Sequence, residues 1–182
     1  MIGRREKTAP PRPQRVPTVV TFLEMPGRPS AAAPPQPRIK HVILKAERPP
    51  VHFYRYLYDT VGRGYKWVDR KKLGDAALAE VLADPDIELF VLYAEGCPAG
   101  MAELDFRLEG TGQLAYFGLT PEFVGRRIGS YFLHQAIVNA WDRPISRLLV
   151  NTCTLDHPRA LPLYQRMGFV PYAREDRYIE LP

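Results

Sequence analysis

Long apolar runs, a disulfide framework and a single sign of charge on the body of the chain are all lacking here, and each absence removes a class of function. No apolar stretch approaches the roughly 20 residues that cross a bilayer, and the N-terminus carries no apolar core of a secretion signal. A cytoplasmic protein without a membrane partner is therefore expected. Two cysteines, Cys97 and Cys153, are too few for a staple framework and suit a reducing compartment. The net charge of +5 is confined to the start of the chain. Residues 1–40 hold eight Lys/Arg against Glu6 and Glu24, whereas the rest carries 17 basic and 18 acidic residues. No basic face on a folded surface is implied, so no nucleic-acid partner is expected.

Proline is abundant, and its distribution organises the chain. Eleven of the 19 prolines lie in the first 50 residues, which excludes long helices there. Those at 10, 11, 13 and 17 also oppose the amphipathic helix of an organelle-import signal. Residues 1–16 read as a flexible Pro/Arg-rich arm and 17–182 as a single domain. Thr18–Met25 and Arg38–Glu47 have strand composition, with Pro26–Pro37 irregular between them. Pro49-Pro50 opens a helix to about Tyr58, and Asp75–Ala83 forms a second. Leu89–Ala94 and Ala99–Leu108 flank the turn Glu95-Gly96-Cys97-Pro98, and Gln113–Leu119 is a further strand. The spacing of apolar residues at 128, 132, 133, 136, 137, 140 and 141 predicts a half-buried helix. Ser146–Thr152, Arg159–Met167 and Phe169–Glu180 then read as strand, helix, strand. Hairpins combined with one crossover give an α/β mixed sheet with helices on both faces.

The strand Gln113–Leu119, the loop Val124-Gly125-Arg126-Arg127-Ile128-Gly129-Ser130 and the following helix can together form a diphosphate site. Exposed amides at a helix N-terminus and glycines allowing close approach are its elements. The two arginines could pair with phosphates or be solvated. Further on comes Asp156-His157-Pro158-Arg159-Ala160-Leu161-Pro162-Leu163-Tyr164-Gln165-Arg166-Met167-Gly168-Phe169. Ala160, Leu163, Tyr164, Gly168 and Phe169 resemble the closing motif of the GNAT superfamily of acyl-CoA-dependent N-acyltransferases, with His157 where asparagine is usual. The loop resembles the family's Arg/Gln-x-x-Gly-x-Gly/Ala at Gly129. Val124 replaces its first residue, and Arg127 its middle glycine.

The resemblance implies a GNAT-like splayed sheet and an N-acetyltransferase that uses acetyl-CoA as co-substrate, with no metal. It places the pantetheine arm along Phe117, Gly118 and Leu119, with an oxyanion-binding amide at Leu119, and the diphosphate on Val124–Ser130. His157 and Ala160 complete the cofactor-binding set. Tyr164 is the implied acid for the leaving thiolate, and a core tyrosine is the alternative reading. An amine of pKa near 10.4 costs about 4 to 5 kcal/mol to deprotonate at pH 7, so a base is useful. Some relatives have a glutamate at the position of Gln113. Here Glu103, or Asp105 on the same strand face, could serve through a water, or both could be solvated. Tyr54, Tyr58 and Trp67, with Tyr65, suit the pocket of a small-molecule or peptide amine, and suit core packing equally. Cys153 could be an acyl-accepting nucleophile, but at the end of an apolar strand it reads as buried and inert. A non-catalytic acyl-CoA-binding module and a homodimer are left open.

Overall fold

The computed structural model describes residues 14–30 and 32–181, and residues 1–13, most of the stretch read as an arm, lie outside them. The described residues form seven strands: β1 (Gln14–Met25), β2 (His41–Lys45), β3 (Ile87–Ala94), β4 (Cys97–Asp105), β5 (Thr111–Leu119), β6 (Arg147–Cys153) and β7 (Val170–Leu181). Four α-helices accompany them: α1 (Val51–Gly62), α2 (Asp75–Ala83), α3 (Gly129–Trp141) and α4 (Ala160–Arg166). The element order is the one expected from the sequence.

All strands join one sheet in the order β2-β3-β4-β5-β6-β1-β7. Every pairing is antiparallel except β5 with β6, which run parallel over four residue pairs, Thr111↔Arg147 to Leu114↔Val150. Alternation along the central strands feeds two cores. Phe90, Leu92, Ala102 and Leu104 join Phe132, Leu133, Ile137 and Tyr164 on the face covered by α3 and α4. Leu89, Val91 and Met101 join Tyr54, Leu57, Tyr58 and Leu78 beneath α1 and α2. The sheet is thus buried on both faces at its centre, as an α/β mixed sheet requires.

Three departures from the sequence reading have identifiable causes. β1 begins at Gln14, inside the stretch read as an arm, because Gln14–Val19 pairs with Asp176–Leu181 of β7. β1 also lies between β6 and β7, a placement that no local pattern announces. Finally, α1 runs on to Gly62 instead of ending near Tyr58. Gly62 is there for space, since a Cβ on it would sit 2.5 Å from the Trp67 indole.

Gly118 has a related constraint. A Cβ on it would lie 2.5 Å from Val61 Cγ1 and 3.7 Å from Trp67 Cη2. The close packing of α1 and Trp67 on β5 therefore needs a glycine, independently of any ligand. Gly118→Ala should cost about 1–3 kcal/mol in chemical denaturation, the usual penalty of an extra buried methyl. A loss below about 0.5 kcal/mol would show that α1 yields freely.

Candidate active site

The site begins where β5 leaves β6. Pairing of β4 with β5 steps from Leu104↔Leu114 to Glu103↔Tyr116, so Ala115 is an extra residue in the ladder. A bulge of this kind bends its strand and turns its twist. β6 pairs with β5 only as far as Leu114, while β4 follows it to Leu119. Tyr116–Leu119 is thus paired on one edge and open on the other among the described residues. Gly118 O is turned toward Gly100 on β4, and Thr120 N–H donates to Ala99 O at 2.9 Å. Strand alternation then directs the N–H and C=O groups of Phe117 and Leu119 to the open edge.

A cavity of about 460 Å³ occupies the gap. Tyr58, Trp67, Tyr116 and Phe117 form one wall, and Asn151, Cys153, Asp156, Ala160 and Tyr164 form the other. Thr18 and Val20 of β1 and Arg177–Glu180 of β7 close one end. Tyr164 is buried, its ring edge-on to Phe169 with centroids 5.9 Å apart. Burial first, and the nearby Asp156 carboxylate second, push its phenol well above the ordinary tyrosine pKa. It therefore stays protonated throughout the working pH range. Asp156 is held by Thr152 Oγ1–H at 2.7 Å and by Cys153 N–H at 2.8 Å. His157 accepts from Arg159 N–H through Nδ1 at 3.1 Å and lies edge-on to Tyr65. It thus braces the turn that leads into α4.

The loop between β5 and α3 separates its two arginines. Arg126 Nη1 donates to Glu95 Oε2 at 2.7 Å, and its guanidinium stacks 4.9 Å above the Phe123 ring. Arg127 is exposed, has no ion-pair partner among the described residues, and adopts a left-handed φ of 60°. Gly125 is also left-handed, at φ 84°. The first helical residues of α3, Gly129 and Ser130, follow Ile128, whose buried side chain provides no cap. Their amides are left for a ligand or water. A Cβ on Gly129 would meet Leu119 Cδ1 at 3.4 Å, so the helix start faces the open end of β5. Open strand edge, uncapped helix start and cleft fit an acyl-CoA laid along them. No cluster of metal-ligating side chains occurs among the described residues.

Two expected site residues lie elsewhere. Glu103 has 0% exposure and accepts hydrogen bonds from Tyr54 Oη and Arg70 Nη2. Its carboxylate is occupied by a cation and a phenol, which removes it from service as a base reached through water. Tyr54, expected in the acceptor pocket, is fully buried behind the cleft wall as Glu103's partner. Burial, then Glu103, raises its phenol pKa far above the usual range. Asp105 is likewise engaged, bound by Arg107 through side chain and backbone. Burial would raise its pKa, but Arg107 outweighs burial and the shift is downward. Tyr58 and Trp67 do line the cleft, with ring centroids 5.3 Å apart. Tyr116, Asn151, Asp156 and the β7 segment escaped sequence reading. Only Asp156, beside the motif histidine, had a local signal.

The left-handed Arg127 gives a direct test of the loop. A non-glycine residue there costs about 1 kcal/mol of backbone strain. Arg127→Gly should therefore be at least as stable as the native protein in thermal unfolding. A loss above about 1 kcal/mol would show that the arginine side chain holds the loop together.

A model of the acetyltransferase (GNAT) family matches residues 50–169. Similar solved structures include a GCN5-related N-acetyltransferase from Kribbella flavida, 17% identical, with a TM-score of 0.59 over 96% of this chain and 60% of that one. A putative GNAT-family acetyltransferase from Novosphingobium aromaticivorans is 16% identical, with a TM-score of 0.58 over 93% of this chain and 67% of that one. An aminoglycoside acetyltransferase from an uncultured soil metagenomic sample is 12% identical, with a TM-score of 0.57 over 70% of this chain and 86% of that one. The chain thus spans about three fifths of the Kribbella protein's length. Among curated proteins none matches significantly. The family match over residues 50–169, joined to a mixed sheet split beside a glycine loop and helix, establishes that the chain belongs to the acetyltransferase (GNAT) family.

Proposed function

We propose that this protein is an acetyl-CoA-dependent N-acetyltransferase, acting on a primary amine of a small molecule or peptide by direct attack in a ternary complex. The carrying observation is the open edge of Tyr116–Leu119, facing Tyr164 across the cleft and ending at the uncapped start of α3. Bound acetyl-CoA supplies an acyl group activated as a thioester. Phe117 and Leu119 present backbone groups along which an extended arm can add as a strand. The Leu119 N–H is the donor assigned to the carbonyl oxygen as it gains charge. Gly129 and Ser130 offer their amides to phosphate, and Arg127, free of an intramolecular partner among the described residues, adds charge. Arg126 reaches the same surface only by exchanging Glu95 for phosphate.

Tyr164 holds a proton beside the place where a thiolate would leave. The burial that raises its pKa also penalises a thiolate in the same cleft, so the transfer stays near balance. Glu103 is a positioning residue: it fixes Arg70, whose guanidinium stacks on Tyr116 in the cleft wall with 5.3 Å to the ring centroid. The amine gives its proton to solvent. Tyr58, Trp67, Tyr65 and Tyr116 form an aromatic wall suited to the acceptor's body. A cytoplasmic location is part of this proposal, supported by the small number of cysteines; no helix among the described residues is long and apolar enough to cross a membrane.

A second reading, a non-catalytic acyl-CoA-binding module, is favoured by one observation: the carboxylate expected as the base is buried and committed to Arg70. Free-thiol release from acetyl-CoA with a panel of amines separates the readings. Release on at least one acceptor is expected, and binding without release on every acceptor would install the second reading.

Gly129→Val should abolish thermal protection by CoA, because the branched side chain adds bulk between the helix start and Leu119. A folded variant that binds CoA with unchanged affinity would overturn the diphosphate assignment. Tyr164→Phe should keep fold and CoA affinity while the maximal rate falls by about 100-fold, the range of a positioned general acid. Near-native turnover with a stability loss of about 1 kcal/mol would make Tyr164 a core residue only.

A further inference from the structure

β7 ends the sheet with its outer edge open. Twelve residues long, it pairs only with β1 among the described residues, and a long exposed edge is a template for another strand. Tyr172 is 55% exposed and Tyr178 60%, toward opposite ends of the strand. Support from within the molecule is thin at one end. The β6 ladder reaches β1 at Val20 and Thr154 holds Thr18 and Val19 just beyond it, so Gln14–Pro17 and Tyr178–Leu181 form a two-stranded ribbon. A ribbon of two strands is marginal on its own in water.

The charges at the centre of β7 are self-complementary. Glu175 and Arg177 bind each other, at 2.5 Å and 2.8 Å. Arg174 and Asp176 are exposed on the opposite face, two residues apart, and have no ion-pair partner among the described residues. A two-fold axis normal to the sheet keeps like faces together, so residues of the same parity oppose each other across an antiparallel pair. With the axis at Glu175, Arg174 of each copy faces Asp176 of the other, twice over. The facing Glu175 pair is neutralised by the two Arg177 side chains. The same register brings the Tyr178 end of one strand to the Tyr172 end of the other.

We propose that β7 is a homodimer interface: two copies join edge to edge, antiparallel and centred on Glu175, into one continuous sheet. The joined ribbon becomes four-stranded. Because Arg177–Glu180 line the cleft, the contact also firms one end of each site.

Sedimentation velocity of the full chain over a roughly hundredfold concentration range tests this. The native protein should form a reversible dimer. Arg174→Asp alone and Asp176→Arg alone each replace attraction by repulsion and should weaken dimerisation at least about tenfold. The double variant Arg174→Asp/Asp176→Arg restores both pairs and should recover it. A monomer at every concentration would overturn the proposal. So would a dimer indifferent to the single substitutions, or a double variant no better than the singles.

Discussion

The parting of β5 from β6 after Leu114 is the constraint on which the rest of the molecule depends. Ordinary parallel strands would stay hydrogen-bonded, because an unpaired buried backbone group costs about as much as a lost hydrogen bond. The bulge at Ala115 starts the separation, and packing maintains it. On one face Val61 and Trp67 press on the Cβ-less Gly118. On the other, Phe117 packs tilted against Phe132 with ring centroids 5.3 Å apart, and Leu119 meets the start of α3 at Gly129. Tyr164 and Phe169 hold the far side. The open edge is thus a built feature with supports from four helices and loops, and its backbone groups are the ones the ligand is proposed to satisfy.

Behind the cleft wall lies a second organising feature, the buried carboxylate of Glu103. A lone buried charge would be prohibitive, and Arg70 with Tyr54 supplies the compensation. Such pairs add little net stability but are costly to break, about 3–5 kcal/mol when one partner is removed. The network therefore acts as a locator. It ties the short turn that carries Arg70 to β4, and Arg70 N–H donates to Tyr58 Oη at 3.3 Å. Arg70 also stacks on Tyr116. The aromatic wall of the cleft inherits its position from an ion pair that never touches the cleft.

At the end of the cleft where the diphosphate is proposed to sit, the loop shows how a family pattern bends to local chemistry. Where a glycine would be relaxed, Arg127 accepts a left-handed backbone and gains an exposed cation in return. Arg126, one residue earlier, is drawn away by Glu95 on the β3–β4 turn. Two adjacent arginines thus have unlike roles, decided by a turn more than 30 residues distant in sequence.

Much of this was legible in the residues themselves. Periodicity, prolines and glycines specify each helix and strand locally, so element order and the strand–loop–helix unit follow from spacing alone. Tyr164 draws notice as a candidate because a linear motif carries it. Glu103, Tyr54 and the arginines were not resolvable that way: a carboxylate on a strand face reads the same whether it meets water or a guanidinium arriving from another element. The position of β1 between β6 and β7 is equally silent in the sequence, since strand pairing is a contact between distant segments and composition specifies only the willingness to pair. Sequence by itself determined the elements, their order and the residues of the loop and tyrosine motif. Tertiary structure alone decided which carboxylate is committed, which arginine is free and which edge is open, because those depend on partners that only folding brings within reach.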